Sequence, residues 1–71
     1  MIGDVIRNLR TGSSMTQTEL GQRMGVIKQT ISNWEKNIST PSIDAIVKLS
    51  SIFNVPTDYL LESGVFSNWD L

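Results

Sequence analysis

The chain has neither cysteine nor histidine among its 71 residues, and this absence limits how it can be stabilised. Small domains are often supported by disulfides or by metal sites built from thiolates and imidazoles. Neither support is available here, so a fold has to come from burying the apolar residues, which make up 39% of the chain. At this length we expect a single domain with one small core.

The same absence narrows the chemistry that the chain could catalyse. Histidine and cysteine are the commonest general base, nucleophile and zinc ligands, so carboxylates, hydroxyls and lysines would have to carry any reaction. No spacing forces any two of Asp4, Asp44 and Asp58 together. A small hydrolase built on carboxylates is therefore disfavoured as a function. We expect no enzyme activity, no cofactor and no metal site.

No segment approaches the roughly 20 consecutive apolar residues that a membrane span requires. The N-terminus also lacks the basic and apolar blocks of a secretory signal. We expect a cytoplasmic protein without membrane contact.

Apolar residues recur at helical spacing in the first part of the chain, with break signals between the segments. The first segment predicts a helix over about 2–10, followed by a turn-rich stretch at 11–14. Thr16 with Glu19 fits a capping box, so a second helix should start at Gln17. It should end at Gly25, where a left-handed residue can close a helix.

A third helix should follow after a turn at about 25–27. Its predicted buried stripe is Ile27, Ile31 and Trp34, at positions i, i+4 and i+7. Lys28 is the first residue of the polar surface that lies on the other side of this helix. We expect the helix to end near Asn37, a residue type that tolerates the left-handed conformation.

Two more helices are predicted after the loop at 38–41. Ser42 should cap a fourth helix, which we expect to be the central core helix and to end at Asn54. Pro56 should open a short fifth helix that runs up to Gly64. The apolar positions of helix four are Ile43, Ile46, Val47, Leu49, Ile52 and Phe53. The fold class is therefore all-α, a compact five-helix arrangement.

The net charge of −1 counts against nucleic-acid binding, because phosphate neutralisation is the main source of affinity for DNA. The charges are unevenly distributed, however. Residues 1–48 hold all six Lys and Arg with four acids, a net +2, whereas residues 49–71 hold three acids and no base, a net −3. This asymmetry is consistent with a basic face and an acidic rear.

Helices two and three, joined by a tight turn, form a pair whose second member could fit the DNA major groove. The exposed face of helix three carries Lys, Gln and Asn, which hydrogen-bond to base edges. A solvated polar face is the alternative interpretation. The scarcity of Glu favours DNA reading, because a merely solvated helix usually alternates Glu with Lys.

Five pieces of the chain are typical of a known family: Ile6-Arg7-Asn8-Leu9-Arg10, Met15-Thr16-Gln17-Thr18-Glu19-Leu20-Gly21, Met24-Gly25-Val26, Thr30-Ile31-Ser32-Asn33-Trp34-Glu35-Lys36-Asn37 and Pro41-Ser42-Ile43. With them, over about residues 2–61, the chain resembles the Cro and CI type helix-turn-helix repressors of phages and their bacterial relatives. The resemblance implies a lambda-repressor-like bundle over 1–62 that binds operator DNA.

The resemblance also implies roles for individual residues. Base-reading positions are Lys28, Gln29, Ser32 and Asn33, and phosphate-contacting positions are Gln17, Thr30, Lys36, Asn37, Ser39 and Thr40. Gln29 and Asn33 rank highest, because amides can read adenine through paired hydrogen bonds. Gln17 has a plain alternative role as the first residue of its helix. Arg10 and Glu35 match positions that form an ion pair in this family, so neither is expected to meet DNA.

One departure from the family pattern is Ile27, which stands where a Ser or Thr commonly caps helix three. The loss of such a cap costs about 1 kcal/mol unless packing compensates. Lys28 stands where Gln is frequent. These two departures affect which bases the protein is expected to read.

Residues 63–71 form a short apolar tail beyond the five-helix unit. Its larger apolar side chains are Phe66, Trp69 and Leu71. Such a tail either folds back on the core or covers a partner, in a homodimer or on a partner repressor protein. Both alternatives stay open.

The first function class is a sequence-specific repressor that binds double-stranded operator DNA, expected to act as a two-fold dimer. The second class is a repression modulator or antirepressor that binds another repressor protein through the same scaffold. The net acidity and the apolar tail favour the second class, and the resemblance and the polar face of helix three favour the first.

Overall fold

The structure is a computed structural model, and it describes residues 2–61. These residues form five α-helices and no strand: α1 Ile2–Gly12, α2 Gln17–Met24, α3 Lys28–Glu35, α4 Ile43–Phe53 and α5 Thr57–Leu61. The predicted all-α class is therefore confirmed. The tail at 63–71 and the predicted end of helix five at Gly64 lie outside the described residues.

Helix α1 is two residues longer than predicted. The hydroxyl of Thr11 donates a hydrogen bond to the carbonyl of Arg7 at 3.0 Å, and the amide of Ser13 donates to the carbonyl of Leu9 at 3.1 Å. The backbone bond from Ser13 to Leu9 continues the helical pattern through Gly12. Ser14 then takes a left-handed conformation with φ 56°, which ends the helix.

Helix α2 begins and ends with the predicted caps. The Thr16 hydroxyl accepts from the Glu19 amide at 3.0 Å, and the Glu19 carboxylate accepts from the Thr16 amide at 2.8 Å. Gly25 closes the helix at φ 75°, ψ 28°. Since L side chains rarely adopt this conformation, glycine suits the position.

The prediction that Ile27 belongs to the buried stripe of helix three is wrong. Ile27 is the N-cap residue, with extended backbone, and its side chain is 71% exposed. The periodic pattern fails because a cap residue precedes the first helical turn and does not share its angular phase. Ile31 and Trp34 are buried as predicted. The helix ends at Glu35, two residues before Asn37, which is left-handed at φ 59°.

Helix α4 starts as predicted, with the Ser42 hydroxyl accepting from the Ala45 amide at 3.2 Å, and Asn54 closes it in the left-handed conformation. The prediction that α4 is the central core helix is wrong in part. Ile43 is 63% exposed and Val47 52% exposed. The most extensive packing is instead that of α3 against α2 and α1.

The core draws side chains from every helix. Its fully buried members are Ile6, Leu20, Ile31, Leu49 and Leu60.

Two glycines allow the helices around the core to approach each other closely. A Cβ atom on Gly3 would lie 2.7 Å from the carbonyl oxygen of Glu35, and one on Gly21 would lie 2.7 Å from that of Val26. Helix α3 is thus packed tightly at both of its ends.

None of the helices in the described range could cross a membrane, since the longest have 11 residues.

Candidate nucleic-acid interface

The candidate interface is built on the tight link between α2 and α3. The amide of Val26 donates to the carbonyl of Gly21 at 2.9 Å, and that of Gly25 donates to the carbonyl of Gln22 at 3.3 Å. Only three residues, 25–27, separate the two helices. This geometry makes a helix-turn-helix in which α3 is the second, outward-facing helix.

The end of α3 is held by an ion pair with α1. The Nε of Arg10 donates to Oε2 of Glu35 at 2.6 Å, and its Nη2 donates to Oε1 at 3.1 Å. The side chains are only 13% and 4% exposed. A two-bond arginine–carboxylate contact of this kind fixes orientation as well as distance. The ion pair expected from the family resemblance is therefore present.

The Arg10 guanidinium also connects the ion pair to the loop before α2. Its Nη1 donates to the carbonyl of Met15 at 2.9 Å. The hydrogen bond with Glu35 raises the pKa of Arg10 above its already high value, although burial opposes the change. Arg10 is therefore a permanent cation whose charge is used inside the protein.

Gln17 joins this cluster instead of pointing away from it. Its Nε2 donates to Oε1 of Glu35 at 3.1 Å, so one carboxylate receives hydrogen bonds from α1 and α2 together. As the first residue of α2, Gln17 has a backbone N–H that no partner within its helix can accept. Beside the cluster, a cavity of about 240 Å³ is lined by Arg7, Arg10, Gln17, Glu35 and Lys36.

Asn37 makes a second connection between α3 and α1. Its Oδ1 accepts a hydrogen bond from the Gly3 amide at 3.1 Å, close to the N-terminus of α1. The sequence indicated the left-handed conformation of Asn37 but not this contact, which spans 34 positions. A glycine on the apolar face of α1 is the one signal that could have suggested such a close approach.

The exposed face of α3 carries the predicted base-reading residues. Lys28 and Gln29 are exposed, and Ser32 and Asn33 are partly buried. Nε2 of Gln29 donates to Oδ1 of Asn33 at 2.9 Å. This bond leaves Gln29 its carbonyl oxygen and a second N–H, the pair that an adenine edge needs. Asn33 keeps its two donor hydrogens and a second lone pair on Oδ1, so both of its amide atoms can still bind a base.

The predicted phosphate-contacting residues lie around this face. Thr30 is half-buried on α3, Lys36 is exposed at its C-cap, and Ser39 and Thr40 are exposed in the following loop. Gln17, at the start of α2, lies beside the same end of α3 as Lys36 through its hydrogen bond to Glu35. The described residues bring no three Asp or Glu side chains together as a metal site.

Comparisons with known proteins agree with this geometry. A family model described as helix-turn-helix matches residues 6–60. The chain is 33% identical over 60 residues to the HTH-type transcriptional regulator ImmR of Bacillus subtilis (strain 168), a match that covers 84% of this chain and 47% of ImmR. The chain thus corresponds to about half the length of that regulator.

Solved structures are similar over most of the described range. The P22 c2 repressor in complex with a synthetic operator superposes with a TM-score of 0.80 at 32% identity, covering 84% of this chain and 91% of the repressor chain. One chain of the complex between the SinR and SinI proteins gives a TM-score of 0.80 at 32% identity, covering 100% of this chain and 67% of that one. These structures share the five-helix repressor fold.

Proposed function

Because the chain belongs to the Cro and CI type helix-turn-helix family, we propose that it is a sequence-specific transcriptional regulator that represses by binding operator DNA. The observation that carries this proposal is the arrangement of α3. Its C-terminal end is held by the buried Glu35, while its other face presents the hydrogen-bonded amides of Gln29 and Asn33 to solvent. No catalytic step is required, and we expect the regulator to act in the cytoplasm.

In this proposal α3 enters the major groove of double-stranded DNA. Its base-reading residues are Lys28, Gln29, Ser32 and Asn33, and the phosphate-contacting residues are Gln17, Thr30, Lys36, Asn37, Ser39 and Thr40. Gln29 reads an adenine with its oxygen and its second N–H, and Asn33 orients it. The protein acts as a two-fold dimer whose reading helices are separated by one turn of DNA, roughly 34 Å.

The test is DNA binding by the purified protein, measured by fluorescence anisotropy on the DNA that flanks its own gene and on a scrambled duplex of equal length. Gln29→Ala should cost about 1 to 3 kcal/mol on the preferred site and clearly less on scrambled DNA. Lys48→Gln is the control, since Lys48 lies on α4 and donates to the carbonyl of Met24 behind the helix pair. Equal losses on both duplexes would contradict the base-reading role of Gln29.

A second candidate function is binding to another repressor protein, as a repression modulator or antirepressor. Two observations favour it: the net charge of −1, and the similarity to a chain that is solved in complex with a second protein. Salt dependence separates the two functions. A dimer that neutralises about six to eight phosphates should give a slope of log affinity against log salt of roughly −5 to −7. A nearly flat slope together with a tight complex with a basic repressor would support the second function.

A further inference from the structure

An apolar groove opens where the two ends of the described chain meet. It has a volume of about 220 Å³, and its lining includes Ile2 from α1, Pro41 before α4, Ile43 and Ile46 from α4, and Leu61 at the end of α5. We call it the terminal groove. Its floor is well packed, since Ile2 is 2% exposed and Ile46 is 4% exposed. One wall is open, because Ile43 is 63% exposed.

The size of the terminal groove suits a single aromatic ring. Small-molecule sites usually have volumes of about 300 to 1,000 Å³, larger than this groove. An apolar cavity of about 150 Å³ is already enough to hold benzene. An occupant that covered the groove would also remove the exposed side chain of Ile43 from water.

The chain itself supplies such a ring close by. Leu61 lines the groove, and the sequence continues with Glu62, Ser63 and Gly64 before an apolar run. The apolar members of that run are Val65, Phe66, Trp69 and Leu71. At most about 3.6 Å is gained per residue, so Phe66 lies within about 18 Å of Leu61. Gly64 permits the reversal of direction that a return to the groove requires.

Proximity favours this segment over any separate molecule. A group tied to its site through a short linker has an effective concentration in the millimolar range, well above that of a second copy in dilute solution. We propose that residues 65–71 fold back on the terminal groove of their own chain and seat an aromatic ring, from Phe66 or Trp69, against Ile2, Pro41 and Ile43. This inference does not depend on the proposed DNA-binding function.

Disulfide trapping tests the proposal directly, because the chain contains no cysteine of its own. Thr40 lies on the rim of the groove and is exposed, so the full chain would carry Thr40→Cys with Ser67→Cys. The matched control is Thr18→Cys with Ser67→Cys, since Thr18 is exposed on α2 and does not line the groove. Equilibration with a glutathione buffer measures the effective concentration of each thiol pair.

We expect the pair at Thr40 to show an effective concentration at least tenfold above that of the control, with the disulfide within one chain. Phe66→Ala or Trp69→Ala in the same background should abolish the difference for whichever ring occupies the groove. Values equal to the control would overturn the proposal, as would a difference that survives both substitutions. A disulfide-linked dimer would also overturn it, because the tail of a second copy would then cover the groove.

An independent measurement avoids substitutions altogether. In the unaltered full chain, nuclear Overhauser effects should connect aromatic protons of residues 65–71 with the methyl groups of Ile2 and Ile43. A mixture of isotope-labelled and unlabelled chains reveals whether the contact is made within one molecule. Contacts found only between molecules, or no contacts, would contradict the proposal.

Discussion

Helices α2 and α3 have the same length of eight residues, but α2 has a side-chain cap at its N-terminus and α3 does not. At the N-terminus of α2, a complete capping box is formed by Thr16 and Glu19. The N-cap of α3 is Ile27, which makes no side-chain hydrogen bond to the helix. At its other end, α3 is held by the contacts of Glu35 and Asn37 with neighbouring helices.

The difference follows from what surrounds each helix end. The α2 N-terminus is exposed, so local hydrogen bonds from its own residues have to satisfy its backbone groups. The last turn of α3 lies against the start of α1, where long-range contacts are available. A helix fixed in this way can still expose one side of its first turn, here Lys28 and Gln29, to solvent, which is the arrangement that a reading helix needs.

The largest effect should come from breaking the long-range attachment of α3. Glu35→Gln would leave the charge of Arg10 almost buried without a counter-charge. Breaking a buried pair costs about 3 to 5 kcal/mol, and we expect the lower end because the amide oxygen can still accept one hydrogen bond. Urea denaturation followed by circular dichroism measures the loss. The control is Glu19→Gln, which makes the same chemical change on an exposed carboxylate.

Surface ion pairs contribute less than about 1 kcal/mol. A loss in this range for Glu35→Gln would contradict the claim that the ion pair holds α3 in place. It would mean that α3 is oriented by apolar packing of Ile31 and Trp34 and not by the ion pair.

A smaller effect should follow from breaking the local cap of α2. Thr16→Ala removes the hydroxyl that accepts from the Glu19 amide, and such substitutions cost about 1 kcal/mol. The same denaturation experiment measures it. Thr18→Ala serves as the control, because Thr18 lies inside the first turn and not at the cap. If the two variants lose equal stability, the cap at Thr16 contributes nothing specific.

Local and long-range contacts also differ in how well the sequence predicts them. The starts of α2 and α4 could be predicted because a cap depends on residues within three positions of each other. The Arg10–Glu35 ion pair was available only through the family resemblance. The hydrogen bonds of Gln17 to Glu35 and of Gly3 to Asn37 were not predicted, because they depend on how separate helices pack.

Periodicity was reliable inside α3 and failed at the N-terminal edge of that helix. Ile31 and Trp34 are buried as the 3.6-residue period requires, whereas Ile27 is exposed because it precedes the helix. Ile43 and Val47 are apolar but exposed, since α4 has more apolar residues than its packed face can bury. The sequence pattern alone does not indicate which of several apolar faces is covered.

Restoring the missing cap of α3 should raise the stability of the protein, whereas the two preceding substitutions lower it. Ile27→Ser supplies a hydroxyl at the N-cap, where the backbone already has the extended conformation of a capping residue. Since the isoleucine side chain is 71% exposed, little packing is lost. We expect a gain of about 0.5 kcal/mol in the free energy of unfolding. Ile38→Ser, at a position that is 68% exposed but not a cap, should give no gain. A gain there would mean that the effect comes from replacing an exposed apolar side chain and not from a cap.

The smallest effect should be the dependence of the α2 cap on pH. Hydrogen bonds from the Thr16 backbone amide and then from its side chain lower the pKa of Glu19 below its usual value of 4.5. A carboxylate whose pKa is lower in the folded state stabilises the fold above its unfolded pKa, and this stabilisation is lost as the pH falls through the folded pKa. The cap should therefore keep its full effect at pH 7 and weaken only below about pH 4.5.

The measurement is the difference between the Tm of the parent chain and that of Glu19→Gln, followed from pH 7 to pH 3. This difference separates the contribution of Glu19 from that of the other carboxylates. The difference should shrink towards acid pH, and since Glu19 is exposed it should also be small at the outset. A difference that grows on acidification would reverse the sign of the linkage and show that the Glu19 carboxylate is not stabilised by the cap. The start of α3 has no titratable cap residue, so Ile27→Ser should keep its gain unchanged over the same range.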